Sequence, residues 1–244
     1  MRKWGTIAVL AVVLSVGPAL PSLADDHLAS STKITYMGRT SPPQTSEVWI
    51  GEAKSYVREG SVATITRQDL GKKWIVNQRT KKYLEEPFPA APAPPPKEEK
   101  FRIQEYGWNY HQPVYEWSVK ETGETAVIDG RTCAKIVLTG EADYSSEIRE
   151  LWIAKDVPID LARYYGRIVE PNLEAALVPI YRAAPALKNG LAVKTVMTEG
   201  RPIAGSTVWE TILITAEKAD PPAGIYDLPA GFSLAKTREE LAGR

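Results

Sequence analysis

Apolar and polar residues alternate along most of this chain. From Lys33 to Glu86 the runs "SEVWIG", "KSYVREG", "VATITRQD", "KKWIVNQ" and "KKYLEE" are short, rich in β-branched and aromatic residues, and separated by Gly, Asp or Asn. A period of two predicts strands, and their tight spacing predicts hairpins, hence an antiparallel meander. "FPAAPAPPPKEE", Phe88 to Glu99, interrupts the pattern. Each proline lacks the backbone donor that a central strand needs, so a semi-rigid spacer or edge loop is expected, with its core over 87–97. The alternation resumes in "RIQEYGWNY", "VYEWSVKE", "TAVIDG", "CAKIVLTG" and "SSEIRELWIAKD", where Asp129-Gly130 predicts a tight hairpin turn.

A different period governs "NLEAALVPIYRAAPALKNG". Leu173, Leu177, Ile180, Tyr181 and Ala184 recur at the spacing of one helical face. Asn172 can cap its start, and Gly190 can stop it in the left-handed conformation. Pro179 and Pro185 predict a bent or broken helix. "LAVKTVMTEG" and "STVWETILITAE" read as two more strands before "GIYDLPAGF", and a short polar helix is expected near "TREELAGR". The sum is mainly β with a helical lid: one curled antiparallel sheet of roughly ten strands, because a sheet that wide curls or closes to cover its inner face. A half-barrel with the helix across its open side fits this pattern.

The N-terminal stretch breaks the alternation altogether. Arg2 and Lys3 precede an apolar run from Ile7 to Val16, interrupted only by Ser15, and Ser22-Leu23-Ala24 has the small-x-small form of a cleavage site. The run is about ten residues, short of the roughly 20 that a membrane span needs. Residues 1–24 therefore read as a cleaved export signal, and 25–244 as one β domain without a transmembrane span. No Cys stands at the cleavage point, which argues against a lipid anchor. The chain has 30 basic and 30 acidic residues. Balanced charge with no long basic block argues against nucleic-acid binding, which rests on phosphate neutralisation. Cys133 is the single cysteine; it forms no internal disulfide and is expected to be buried in a strand.

"SEIRELWIAKDVPID", the helix after it, "TEGRPIAGSTVWETILITAEKAD" and "GIYDLPAGF" together resemble the LolA/LolB-like superfamily of bacterial periplasmic proteins. The closer likeness is to uncharacterised members with "KWIVNQRTKKYLEE" as an early signature. The resemblance implies a half-barrel around a hydrophobic cavity, helices as a lid, and a periplasmic location. It also implies a lipid or an acylated lipoprotein as partner, although other members sense or scaffold envelope components. Three features depart from the family. The receptor-type lipid-attachment Cys is missing, the proline spacer is additional, and Arg67 is the candidate for a cavity arginine that has no clear counterpart. Fold transfers more readily than transport does, since function belongs to sites.

Enzyme chemistry is not expected, and no catalytic residue is assigned. His27 and His111 are the only histidines; His27 falls in an expected mobile terminus, and nothing local pairs His111 with Cys133. Neither a Gly-x-Ser-x-Gly elbow nor a His-rich metal motif occurs. A hydrolase working through two carboxylates is the enzymatic alternative. The aromatic residues say more. Tyr106, Trp108 and Tyr110 fall two apart and share one face of a strand, and Trp117 continues that wall. Trp49, Trp74, Trp152 and Trp209 lie in other strands, and with Leu173, Leu177 and Tyr181 of the helix they complete the cavity candidates. The same rings also suit a filled core. Two functions follow: an exported binding protein that holds a lipid, acyl chain or lipidated partner, or an interaction or sensor module for another envelope protein. No cofactor is expected. Cleavage after Ala24 would, however, expose Asp25-Asp26-His27, whose amine, two amide nitrogens and imidazole can surround adventitious Cu(II) or Ni(II) in a plane.

Overall fold

The computed structural model describes residues 24–88, 115–142, 145–172, 177–201 and 205–243. Thirteen strands in these residues form one sheet. They are β1 (Asp25–Tyr36), β2 (Arg39–Thr40), β3 (Gln44–Ile50), β4 (Lys54–Glu59), β5 (Val62–Arg67), β6 (Lys72–Asn77) and β7 (Lys82–Pro87), followed by β8 (Glu116–Ile128), β9 (Arg131–Ala142), β10 (Ser145–Ala154), β11 (Leu191–Arg201), β12 (Gly205–Ala219) and β13 (Ser233–Leu234). Their spatial order is β13-β7-β6-β5-β4-β3-β1-β12-β11-β10-β9-β8, with β2 paired to β1. The sheet is mainly antiparallel, open and curled, as expected, but broader than ten strands. One pairing departs from the pattern: β13 runs parallel to β7 over two residues.

Its centre is the part least expected. β1 begins at Asp25, well before Lys33, and lies between β12 and β3 with a ladder on each edge. One meander, β3 to β7, grows from one side of it. The other, β8 to β12, returns to it from the far edge. Asp129 (φ 49°) and Gly130 (φ 74°) make the two-residue turn between β8 and β9, the left-handed pair that such hairpins require.

The helical segment starts earlier than the sequence pattern suggests. α1 (Leu161–Tyr164) runs into a π-helical turn and a 3-10 turn that end at Asn172. Its cap is Asp160, whose side chain accepts from the Arg163 amide at 3.0 Å, and Asn172, the expected cap, is the last residue of the 3-10 turn. α2 (Val178–Ala183) and α3 (Pro185–Lys188) are separated at Ala184 (φ −107°, ψ 91°), because the residue before a proline is driven to extended backbone. The broken helix was thus readable from Pro185. Gly190 does not take a left-handed φ. It is needed because a Cβ there would lie 2.3 Å from Ile153 Cγ2 and 3.0 Å from the Ala154 carbonyl. α4 (Arg238–Ala242) is the expected terminal helix, capped by Thr237 and stopped at left-handed Gly243. The proline-rich spacer, apart from Pro87 and Phe88, lies outside the described residues.

Successive residues on a strand face opposite sides, and both sides carry a core. On one side Leu28, Ile50, Val193, Leu213 and Ala216 pack with Leu161, Tyr164 and Ile168. Further along the same side Ile136, Leu138, Leu151 and Ile153 pack under Leu177, Ala184 and Leu187. On the other side Trp49, Tyr56, Ile65, Trp74 and Val76 are covered by Ile225, Tyr226, Leu228 and Phe232. Each half of the sheet is thus sealed on a different face. The Gly190 contact is directly testable. Gly190→Ala should lower stability by ~1–3 kcal/mol through overpacking against Ile153, read from urea unfolding. An unchanged midpoint would remove close approach as the reason for this glycine.

Candidate functional site

Register aligns side chains of the helix-covered face into rows. One row runs Ile34, Trp209, Met197, Arg149, Leu138 and Val119, across β1, β12, β11, β10, β9 and β8. The next row towards the helices runs Thr211, Thr195, Leu151 and Ile136. On the opposite flank lie Thr207, Glu199, Glu147, Gly140 and Trp117. Leu138, Ile136, Leu151 and Ile153 are buried, whereas Met197 and Trp209 keep partial exposure. The face is therefore apolar over Ile136, Leu138, Leu151 and Ile153 and again at Met197 and Trp209, with Arg149, Thr195 and Thr211 set among them and a more polar flank at Glu147 and Glu199.

Trp117, Glu147 and Arg149 form a cluster at that flank. The Arg149 guanidinium sits 4.8 Å from the Trp117 ring centroid and contacts the Glu147 carboxylate. Gly140 admits the indole, since a Cβ there would meet its benzo carbons at 3.0 Å. The Trp117 Nε1 is buried without a hydrogen-bond partner. Tyr181 reaches this cluster from α2; burial pushes its hydroxyl pKa up, and the Arg149 charge opposes that shift.

Two adjacent aspartates fix what covers each face. Asp26 is fully buried on the helix side. Its Oδ1 accepts from the Asp160 amide at 3.0 Å and meets the Lys218 ammonium at 2.5 Å, while Oδ2 faces Arg163 at 3.9 Å. Arg167 donates to the Gly51 and Glu52 carbonyls, and Tyr165 donates to the Gly190 carbonyl at 2.7 Å. Asp25 points the other way and accepts from the Tyr226 hydroxyl at 2.7 Å. A Cβ at Gly51 would stand 3.0 Å from that carboxylate, which explains the glycine.

The structure divides the cavity candidates. Trp117, Leu177, Tyr181 and Trp209 share the helix-covered face, the first three within one cluster. Trp49 and Trp74 lie on the opposite face in a packed core, their indoles donating to Glu47 at 2.9 Å and Glu85 at 2.8 Å. Trp152 leaves β10 on the side opposite Leu151 and Ile153, where it is partly buried against the cluster that holds Cys133, Ala154 and Leu191 and lies beneath the Lys135 ammonium at 5.6 Å. Tyr106, Trp108, Tyr110, Leu173 and His111 lie outside the described residues. Arg67 also stands apart from the helices, held by Asp69 at 2.7 Å and Asp227 at 3.0 Å. Among the described strand side chains Arg149 lies on the covered face, and alternation along "EIRELWIA" could have found it with Glu147, Leu151 and Ile153.

His27 is not in a mobile terminus. Its ring stacks on Trp49 at 4.1 Å, with Nδ1 3.3 Å from Glu217 and Nε2 3.7 Å from Glu47. The side chains of Asp25 and Asp26 diverge to opposite faces. A planar four-nitrogen site would need the Asp26 and His27 amides freed from the two ladders around β1. Among the described residues no three His, Cys, Asp or Glu side chains converge as a metal site. Cys133 is buried, its thiol bonded to the Arg131 carbonyl at 3.4 Å, and desolvation pushes its pKa up. A separate cavity of about 560 Å³ lies at the far end of the sheet, between β7 and the Leu234–Lys236 stretch, among the charged groups of Lys72, Glu85 and Glu86.

No family model and no curated relative matches the chain. Several solved structures do. PNGF-II matches at 11% identity and a TM-score of 0.39, over 90% of this chain and 32% of its own. The chain thus spans about a third of the PNGF-II chain it matches. A DUF1329 family protein from Desulfovibrio piger matches at 11% identity and a TM-score of 0.30, over 84% of this chain and 90% of its own. A LolA superfamily protein from Nitrosomonas europaea matches at 9% identity and 0.28, over 85% and 91%. These are likenesses in fold. No helix of the described residues is long and apolar enough to cross a membrane.

Two outcomes test the anchoring of the helical cover. Asp26→Asn keeps the side-chain shape but removes the charge facing Lys218 and Arg163, and should cost ~2–4 kcal/mol in urea unfolding. A negligible loss would show that the anchor does not depend on charge. Burial raises the Tyr164 pKa from 10.0 to about 12, and the Tyr165 pKa also rises. The folded state then holds these protons more tightly than the unfolded chain does. Their contribution is complete below pH 10.0 and is lost as the pH climbs through about 12. Stability should fall over that window, and Tyr164→Phe should flatten the fall.

Proposed function

We propose that this chain is an exported, non-enzymatic binding protein of the bacterial periplasm, which holds a lipid, an acyl chain or an acylated partner against the helix-covered face of its sheet. The observation that carries this reading is the apolar surface of that face, part sealed and part exposed. Ile136, Leu138, Leu151 and Ile153 are sealed under α2 and α3, and the same face continues through the partly exposed Met197 and Trp209. The cover is also unequal along its length. Its first part is tied by Asp26, Arg167 and Tyr165, whereas Leu177, Ala184 and Leu187 hold the second part by apolar contact. Apolar contact is non-directional, so a chain of methylenes can replace it. The basic-apolar-small pattern of residues 1–24 supports export.

A second reading draws on the outward face. Ile148 and Ile212 project from β10 and β12 and are 40% and 41% exposed. Isoleucines on the outer face suit an interaction module that docks another envelope protein.

The experiment is native mass spectrometry of protein recovered from the periplasm, followed by denaturing mass analysis and titration with a fluorescent alkyl probe. A co-purified acyl species and saturable probe uptake are expected. Met197→Glu should weaken uptake by roughly tenfold or more, because it puts a charged, strongly hydrated side chain on the surface that the probe covers. Bare protein that takes up no probe would overturn the binding reading and favour the docking one.

A further inference from the structure

We infer that Asp25-Asp26-His27 is a Cu(II) or Ni(II) site of the mature chain only while β1 is undocked, so that metal binding and closure of the sheet exclude each other. This rests on the export reading above, which makes Asp25 the first residue, and it is independent of what the covered face holds.

Removal of residues 1–24 leaves a free amine on Asp25. In an open chain that amine, the Asp26 and His27 amide nitrogens and the imidazole Nδ1 can close small rings on one ion. Four nitrogens in a plane suit Cu(II) and Ni(II). Neither Asp26 nor His27 is proline, so each has an amide proton to lose. Binding releases those two protons and one from the ammonium, and the imidazole binds in its neutral form.

The folded strand takes these nitrogens apart. Asp26 lies opposite Lys218 of β12 and Ile50 of β3, and His27 lies opposite Glu217 and Trp49. Consecutive amides of a strand point to opposite edges, so one of the two faces β12 and the other faces β3. They cannot turn to a common ion without leaving the ladders. The His27 ring is also held, stacked on Trp49 at 4.1 Å with Nδ1 3.3 Å from Glu217. The two carboxylates tie the same residues down. Asp26 is fully buried against the Asp160 amide and Lys218, and Asp25, 8% exposed, accepts from the Tyr226 hydroxyl. A metal ion on the leading tripeptide therefore undoes the contacts that hold a cover on each face. A ligand that binds only the open chain draws the equilibrium towards it by mass action.

The test uses the mature chain, residues 25–244, at about pH 8, where roughly half of free amines are unprotonated. Ni(II) is the probe, because the unfolded chain exposes the Cys133 thiol, which Cu(II) can oxidise. In urea each chain should take up one Ni(II), read from the absorbance of the planar complex, and the folded chain should take up none. Free Ni(II) at roughly a hundred times its Kd for the open chain should shift the unfolding equilibrium about a hundredfold towards the unfolded state, which lowers the urea midpoint. A chain that begins at Ala24 retains β1 and His27 but moves the imidazole to the fourth position. It should show neither uptake nor shift. Planar uptake by the folded chain, an unshifted midpoint, or the same shift in the chain that begins at Ala24 would overturn the inference while the export and lipid readings stand. A first residue other than Asp25 in protein recovered from the periplasm would overturn it together with the expected cleavage point.

Discussion

Burying two neighbouring carboxylates in the middle of a sheet is the constraint on which the remaining structure turns. Asp25 and Asp26 are next to each other in β1, so their side chains must leave the strand on opposite faces. Neither can stay desolvated without partners. Asp26 finds them in the Asp160 amide, Lys218 and Arg163, and Asp25 finds one in Tyr226. Residues 160–172 are thereby drawn over one face, and the 225–232 stretch over the other. Two otherwise independent covers are indexed to the same dipeptide.

This arrangement separates the sheet into a closed half and an adaptable half. Beneath Tyr226 the aromatic residues of β3 to β7 interlock, and their indoles are matched by glutamates. Beneath α2 and α3 the floor is aliphatic, with Trp117, Glu147 and Arg149 at its border. Flat aromatic packing with directed hydrogen bonds fixes one arrangement, whereas aliphatic packing tolerates exchange of one hydrocarbon surface for another. The physical distinction between the halves lies in what fills each, since the backbone continues unbroken through both.

Much of this was legible in the sequence, and the exceptions have identifiable causes. The strands of the first meander alternate cleanly, the Asp129-Gly130 turn has its required residues, and Pro185 announces the break in the helix. β1 was not legible from "DDHLASS", because small and acidic residues have low strand propensity and the pairing is imposed by β12 and β3. The early helical turn was missed: Leu161, Tyr164, Tyr165 and Ile168 have helical spacing behind Asp160, but the intervening Arg and Gly residues mask it. Gly190 shows a deeper ambiguity, since glycine serves equally for a left-handed stop and for close approach. The facing of the tryptophans was the hardest to read. Alternation identifies which residues share a face, but when both faces carry a core, as at Trp49 and Ile50, it does not say which face receives the helices.

The position of β1 also dictates an order of assembly. β3 to β7 pair through short hairpins, as do β8 to β12 apart from the helical segment between β10 and β11, so each meander is built largely from nearby sequence. The ladder between β1 and β12, which joins Asp25 to Ala219, spans nearly the whole described chain. Contacts of such long sequence separation form slowly, because loop closure precedes any gain from pairing. The first of the described strands is consequently among the last to be enclosed, and until β12 arrives both meanders present a raw edge. Maturation of this protein is a seam closed late, down the middle of the sheet, along β1.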